Sequence, residues 1–208
     1  MDYEGISIDR INHDCFKIKK DLVLYIDPYK VSADAETADL VLITHNHYDH
    51  CSPGDVSRVS DNNTIIVTVA DCQSKLSNLN VKNITLVEPG NKLEVKGLKV
   101  EVVPAYNTDK PFHPQDNKWV GFIIGIDGKR IYHTGDSDFI PEMKKLKDID
   151  VALMPVSGKY VMTALEAVAA CQHIKPKLAI PMHYGSIVGS EQDAKSFKER
   201  ADCKVEII

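Results

Sequence analysis

The stretch Asp39-Leu-Val-Leu-Ile-Thr-His45-Asn-His47-Tyr-Asp49-His50 constrains this chain more than any other. An apolar run of strand type, Leu40 to Ile43, ends in three histidines and an aspartate packed into six residues. On an extended chain side chains alternate between faces, so His45 and His47 point the same way. On a helix they would lie roughly 200° apart and could not share an ion. Asp49 and His50 are adjacent, so they converge on a site only if the chain turns after Tyr48. The pattern predicts a strand end followed by a tight loop, with two imidazoles on one metal and a second donor cluster beside them. Imidazole nitrogen and carboxylate oxygen suit zinc, and also iron or manganese. The competing reading is a polar loop with incidental histidines, and four donors at this spacing weigh against it.

A chain of 208 residues, 43% apolar, is long enough to bury a sizeable core and reads most simply as one domain, 1–208. The 25 basic and 30 acidic residues leave a net charge of −5 without a basic tract, which tells against nucleic-acid binding. Five cysteines, odd in number and without a CxxC pair, suit a reduced intracellular protein. Met1-Asp-Tyr-Glu-Gly lacks a basic n-region, and no apolar run approaches the roughly 18 residues of a membrane span. Cytoplasm is the expected compartment, with a small molecule as partner. A homo-oligomer is compatible with all of this.

Hydrophobic patterning predicts three short strands over 5–26, a buried strand at 64–69, and a strand meander over 81–87, 92–95 and 98–103. Asp127-Gly128 signals a type I′ hairpin between 119–126 and 129–133. Ser52-Pro53 marks a helix to about Val59. Further helices are expected at 71–76, 139–147, 164–174 (with the capping box Thr163-x-x-Glu166) and 191–201. Strands at 151–155, 177–182 and 204–208 complete the order. Strands followed by helices in each half suit two sheets covered by helices. Asp39-Leu-Val-Leu-Ile-Thr is faintly echoed by Asp150-Val-Ala-Leu-Met-Pro.

His45-x-His47-x-Asp49-His50 resembles the signature of the metallo-β-lactamase superfamily. That resemblance implies an α/β fold, the αββα four-layer sandwich, with the metal site at one edge. It extends over nearly the whole chain. It is closest to the small single-domain metal-dependent hydrolase branch, which includes ascorbate-phosphate lactonases and relatives of N-acylphosphatidylethanolamine phospholipase D. Tyr132-His133-Thr-Gly-Asp136 resembles the Gly-Asp strand end whose aspartate bridges two metals. Ile180-Pro-Met-His183 resembles the last ligand loop. Where the family has a histidine after the strand ending at Pro104, this chain has Tyr106-Asn107. His113, six residues later, is the nearest substitute.

The resemblance implies two divalent ions, zinc first, with iron or manganese as alternatives. His45, His47 and His113 would hold the first, Asp49, His50 and His183 the second, and Asp136 both. Asp49 would also orient the attacking hydroxide. His13, in a turn resembling Gly-His-x-Cys-Phe with Asn12 for the glycine, and Asp27 of Asp27-Pro28 would back up these ligands. So would Asn107 and His133. Ser157-Gly158-Lys159-Tyr160 resembles a Gly-Gly-x-Tyr substrate loop. The reaction implied is metal-dependent hydrolysis of an ester, lactone or phosphodiester in a small anionic substrate. A di-iron redox enzyme on the same fold and a non-catalytic metal-binding module are the alternatives.

Overall fold

The computed structural model describes residues 1–208, which divide into two units, Met1–Val87 and Glu88–Ile208. The first holds one sheet whose strands lie in sequence order: β1 (Asp2–Tyr3), β2 (Ile6–Asn12), β3 (Cys15–Lys19), β4 (Val23–Ile26), β5 (Leu40–Ile43), β6 (Ile65–Thr68) and β7 (Asn83–Leu86). Neighbours are antiparallel from β1 to β4 and parallel from β4 to β7. The connections dictate that change. Short turns join the first four strands, whereas crossovers join the rest, carrying α1 (Pro53–Arg58) and α2 (Gln73–Leu76). Every residue of β4 and β5 is buried, as an unbroken apolar run in a parallel sheet requires. α1 starts where the sequence places it: Pro53 opens it, and the Ser52 hydroxyl accepts the Asp55 N–H while donating to the Asp55 carboxylate at 2.7 Å.

The second unit repeats the plan with β8 (Lys92–Val95), β9 (Leu98–Pro104), β10 (Val120–Ile126), β11 (Lys129–His133), β12 (Val151–Pro155), β13 (Leu178–Met182) and β14 (Lys204–Val205). Pairing is antiparallel from β8 to β11 and parallel from β11 to β14. Asp127 and Gly128 both have positive φ, 49° and 74°, the type I′ geometry expected of the β10–β11 turn. Helices α3 (Ala164–Ile174) and α4 (Glu191–Arg200) fill the last two crossovers, and the Thr163–Glu166 capping box is formed. Ala167, Ala170 and Ile174 of α3 share a core with Phe197 of α4 and with Ala152, Met154 and Ala179 of the sheet. Phe197 is fully buried, which stabilises the unit by about 1.5–3 kcal/mol.

Two expectations fail. β7 does not join β8 and β9 in a meander: it closes the first sheet beside β6, and β8 opens the second. Alternation reports a strand, not its neighbour, and the Pro89-Gly90 turn moves the chain between sheets, with Gly90 N–H donating to Val102 O at 2.8 Å. The helix expected at 139–147 is a 3₁₀ segment, Pro141–Lys145, whose one buried residue is Met143. Without an apolar stripe, tertiary packing has nothing with which to hold a full α-helix.

Candidate metal centre

In the first unit the donors gather at the carboxyl ends of β4 and β5. Asp27 directly follows β4, and its N–H donates to Leu42 O at 2.9 Å, prolonging the pairing with β5. Its buried carboxylate accepts the Thr44 N–H at 2.8 Å, the Thr44 hydroxyl at 2.7 Å and His50 Nδ1–H at 2.7 Å. The Thr44 hydroxyl spends its only proton on Asp27, so towards His45 Nδ1, 2.9 Å away, it acts as acceptor. Both imidazoles therefore carry their proton on Nδ1 and leave a lone pair on Nε2. A metal-ligating histidine is held in the same way. His45 Nε2 lies 3.0 Å from His47 Nδ1, so these two rings converge, but β5 ends at Ile43 and residues 46–47 form a bend, so the loop and not strand alternation brings them together.

The chain then turns after Tyr48, as convergence of the second cluster demands. Both the His50 and Cys51 N–H groups return to His47 O, at 3.1 and 2.8 Å. That turn sets Asp49 Oδ2 3.5 Å from His13 Nε2 and 3.6 Å from His50 Nε2. His13 and Asp14 sit in the β2–β3 turn, fully or almost fully buried, and each offers a donor atom within 4.8 Å of one on His50. The left-handed residue of that turn is His13, with φ of 47°, rather than Asn12. Burial pushes the Cys15 thiol up to about 12, and the carboxylates of Asp27 and Asp14 reinforce the shift.

The second unit builds a matching set. Asp136 follows β11 through Gly135, and His183 follows β13. Asp136 Oδ2 lies 3.1 Å from His113 Nε2 and 3.2 Å from His183 Nε2, and all three side chains are at least 96% buried. The Ser157 hydroxyl meets His183 Nδ1 at 2.7 Å. His113 Nδ1 faces two carbonyl oxygens, Asn107 Oδ1 at 3.1 Å and Tyr160 O at 3.2 Å. The buried Asp138 carboxylate takes Asn107 Nδ2–H, the Thr108 N–H and the Lys110 ammonium at 3.1, 2.8 and 2.8 Å. His133 is buried as well, but its Nδ1 accepts the Gly135 N–H at 3.1 Å, which fixes the turn before Asp136.

The substrate-loop residues divide by role. Gly158 has φ of 75° and donates its N–H to Met162 O at 2.9 Å, so that N–H is committed within the loop. Lys159 is exposed, its ammonium 5.1 Å from the Tyr160 ring centroid, and Tyr160 meets Phe112 edge-on at 4.7 Å. Lys110 is paired with Asp109 and Asp138, and Lys118 with Glu88. His173 donates to Ala169 O of its own helix and stands apart from the donors.

Residues 7–183 match the family model of the beta-lactamase superfamily domain. The chain belongs to the β-lactamase superfamily. Among its relatives there, a UPF0173 metal-dependent hydrolase of Archaeoglobus fulgidus is 30% identical, over 98% of this chain and 95% of that protein. A solved structure from Parabacteroides distasonis, of a protein proposed to be a metal-dependent hydrolase, superposes with a TM-score of 0.85 at 32% identity, covering 97% and 92% of the two chains. Igni18, a metallo hydrolase of Ignicoccus hospitalis, shares the fold with a TM-score of 0.79 at 24% identity, covering 98% and 94%. The two sheets and their helices are those of the metallo-β-lactamase fold that the superfamily motif implied.

Three residues of the superfamily chain that hold or join the donors were not singled out from sequence. Asp14, Thr44 and Asp138 are ordinary polar residues by composition, and only three-dimensional placement distinguishes them. Thr44 carried one signal, since it separates a buried strand from a presumed ligand. The donor chemistry fits a divalent cation: imidazoles with outward lone pairs and buried carboxylates are the ligands that zinc, iron or manganese take. Three non-glycine residues of this set, His13, Asp27 and His183, have φ of 47–59°, a conformation costing about 1–2 kcal/mol each. Such strain is held where the surrounding structure demands it.

Proposed function

We propose that the two donor sets serve one centre, in a single domain made of both units, and that the protein is a hydrolase dependent on two divalent metal ions. His45, His47 and His113 would hold the first, and Asp49, His50 and His183 the second, with Asp136 shared and zinc the first candidate. One observation carries the reading: the ring protons of His45, His50 and His113 are committed to fixed partners, through Asp27 and Thr44 in one unit and Asn107 in the other. Family membership and the names of the relatives support the metal-dependent hydrolase class.

Two such cations supply hydroxide near neutral pH and polarise a carbonyl or phosphoryl oxygen. The chain's own residues do the rest. Asp49 would hold the second ion and orient the attacking hydroxide through its carboxylate. Asp27 holds His45 and His50 against rotation, so the attack geometry is fixed beforehand. Lys159, exposed on the loop before α3, meets the substrate's negative charge, and the Phe112–Tyr160 pair offers an apolar wall. The substrate is a small anionic ester, lactone or phosphodiester, acted on in the cytoplasm without a nucleic-acid partner. No helix is long and apolar enough to cross a membrane.

A screen of phosphodiesters, lactones and thioesters with the zinc-, manganese- and iron-loaded protein tests the proposal, with His45→Ala as control. Turnover that the control lacks, with about two metal equivalents bound, supports it. Metal analysis showing one equivalent or fewer after loading would sink it. Visible charge-transfer absorption with oxygen-dependent turnover would replace hydrolysis by di-iron redox chemistry.

A further inference from the structure

The loop from Asn107 to His113 stands where the superfamily resemblance leads one to expect a histidine directly after β9. The structure shows what Asn107 does there. Its N–H donates to His113 O at 2.8 Å. Its Oδ1 accepts both the His113 N–H at 3.0 Å and, at 3.1 Å, the ring nitrogen Nδ1. Its Nδ2 donates to Asp138 Oδ1 at 3.1 Å and to Tyr160 O at 2.9 Å. Both lone pairs of Oδ1 and both protons of Nδ2 are thus used, which leaves the amide nothing to offer a cation.

The same bonds decide the state of the ring. Asn107 Oδ1 and Tyr160 O are acceptors only, because Nδ2 donates on the opposite side of the amide and a carbonyl has no proton. Facing two acceptors, Nδ1 must carry the hydrogen. The neutral ring then has its lone pair on Nε2, the atom 3.1 Å from Asp136 Oδ2. Asp138 in turn fixes which way the amide points, since a flipped amide would set Oδ1 against that carboxylate. His113 is buried, so an Nδ1–H deprived of these partners would be costly.

We infer that Asn107 is a positioning residue whose carboxamide clamps the backbone and ring of His113, so that Nε2 faces the cation as a lone pair. The inference rests on His113 being a metal ligand, as proposed above. One residue's side chain thus assigns the ligand role to another six positions away.

Three measurements test it without recourse to turnover. In competition with a chromophoric chelator, Asn107→Ala should bind one of two zinc equivalents about 10–100-fold more weakly and leave the other unchanged. The Co2+ absorption bands of that site should shift with it. Lys110→Met removes an ion pair to Asp138 in the same loop but keeps the clamp, so its zinc affinity should stay within about threefold of the parent. Equal weakening by both variants would assign the effect to general loop order and overturn the inference, as would an unaltered Asn107→Ala. Ring ¹⁵N shifts of the metal-free parent need no variant: Nδ1 of His113 should be protonated, and an Nδ1 without a proton overturns the clamp. Retention of both equivalents by His113→Ala would instead overturn the ligand assignment itself.

Discussion

Asp39 and Asp150 occupy the same place in the two units, each just ahead of the second parallel strand of its sheet. Asp39 exchanges two hydrogen bonds with Val23, its N–H donating to Val23 O at 2.8 Å and its carboxylate accepting the Val23 N–H at 3.0 Å. Asp150 does the same with Arg130, at 2.9 and 2.8 Å. The sequence echo between the two stretches is therefore a repeated device. A carboxylate caps the entry of the neighbouring strand, beyond whose far end Asp27 in one unit and Asp136 in the other are placed.

That device gives a pH prediction. Burial pushes the Asp150 carboxyl up, but the Lys177 ammonium at 2.8 Å and the Arg130 N–H outweigh it and hold it below the usual carboxylate range. A carboxyl depressed on folding stabilises above its unfolded value, about 3.9, and the gain disappears as pH falls through the lower folded value. Asp150→Asn should therefore cost about 1 kcal/mol at pH 7 in urea unfolding, shrinking below about pH 4. A cost that stayed constant with pH would contradict the assignment.

Asp27→Asn tests the link between the ligands and their supports. An amide cannot accept from Thr44 Oγ1 and His50 Nδ1 with the same oxygen's charge behind it. Zinc affinity should fall about 10–100-fold, read by chelator competition, with the secondary structure unchanged by circular dichroism. Affinity equal to the parent's would mean that the carboxylate is merely a structural anchor.

Direct removal of donors should be harsher. His45→Ala and Asp136→Asn are each expected to lower hydrolysis by more than about 100-fold, exceeding the loss typical of an outer partner. Their metal content should separate them: His45→Ala loses one equivalent, whereas Asp136→Asn weakens both. Elemental analysis after gel filtration reads this directly.

Phe197→Ala supplies the opposite signature. It leaves a cavity beneath α4 without removing a donor or a donor's hydrogen-bond partner, and should cost about 3–5 kcal/mol in stability. Zinc affinity of the folded variant should match the parent's. Thermal unfolding and chelator competition on the same sample distinguish the two effects.

Much of the fold was legible because its signals are local. Leu40–Ile43, Val151–Pro155, Ala164–Ile174 and the Asp127-Gly128 turn carry their periodicity and end signals within a dozen residues. The fate of β7 was not legible, since pairing partners lie outside any local window. The site divides along the same line. The cluster His45, His47, Asp49 and His50 was visible at the end of an apolar strand, and the adjacency of Asp49 and His50 demanded the turn after Tyr48, but the bend at 46–47 that brings His45 and His47 together was not. Asp14, Thr44 and Asp138 matter only through what they touch. Asn107 lay between these cases: its departure from the superfamily pattern was visible, but what it does in place of a ligand required the loop's hydrogen bonds.

The Asp127–Gly128 turn lies at the opposite end of β11 from Asp136. New chain termini, a fluorophore or a purification handle opened at that tip would sit a full strand length from the donors Asp136 and His183. The hairpin thus offers engineers a quiet rim on a unit whose other rim tolerates little alteration.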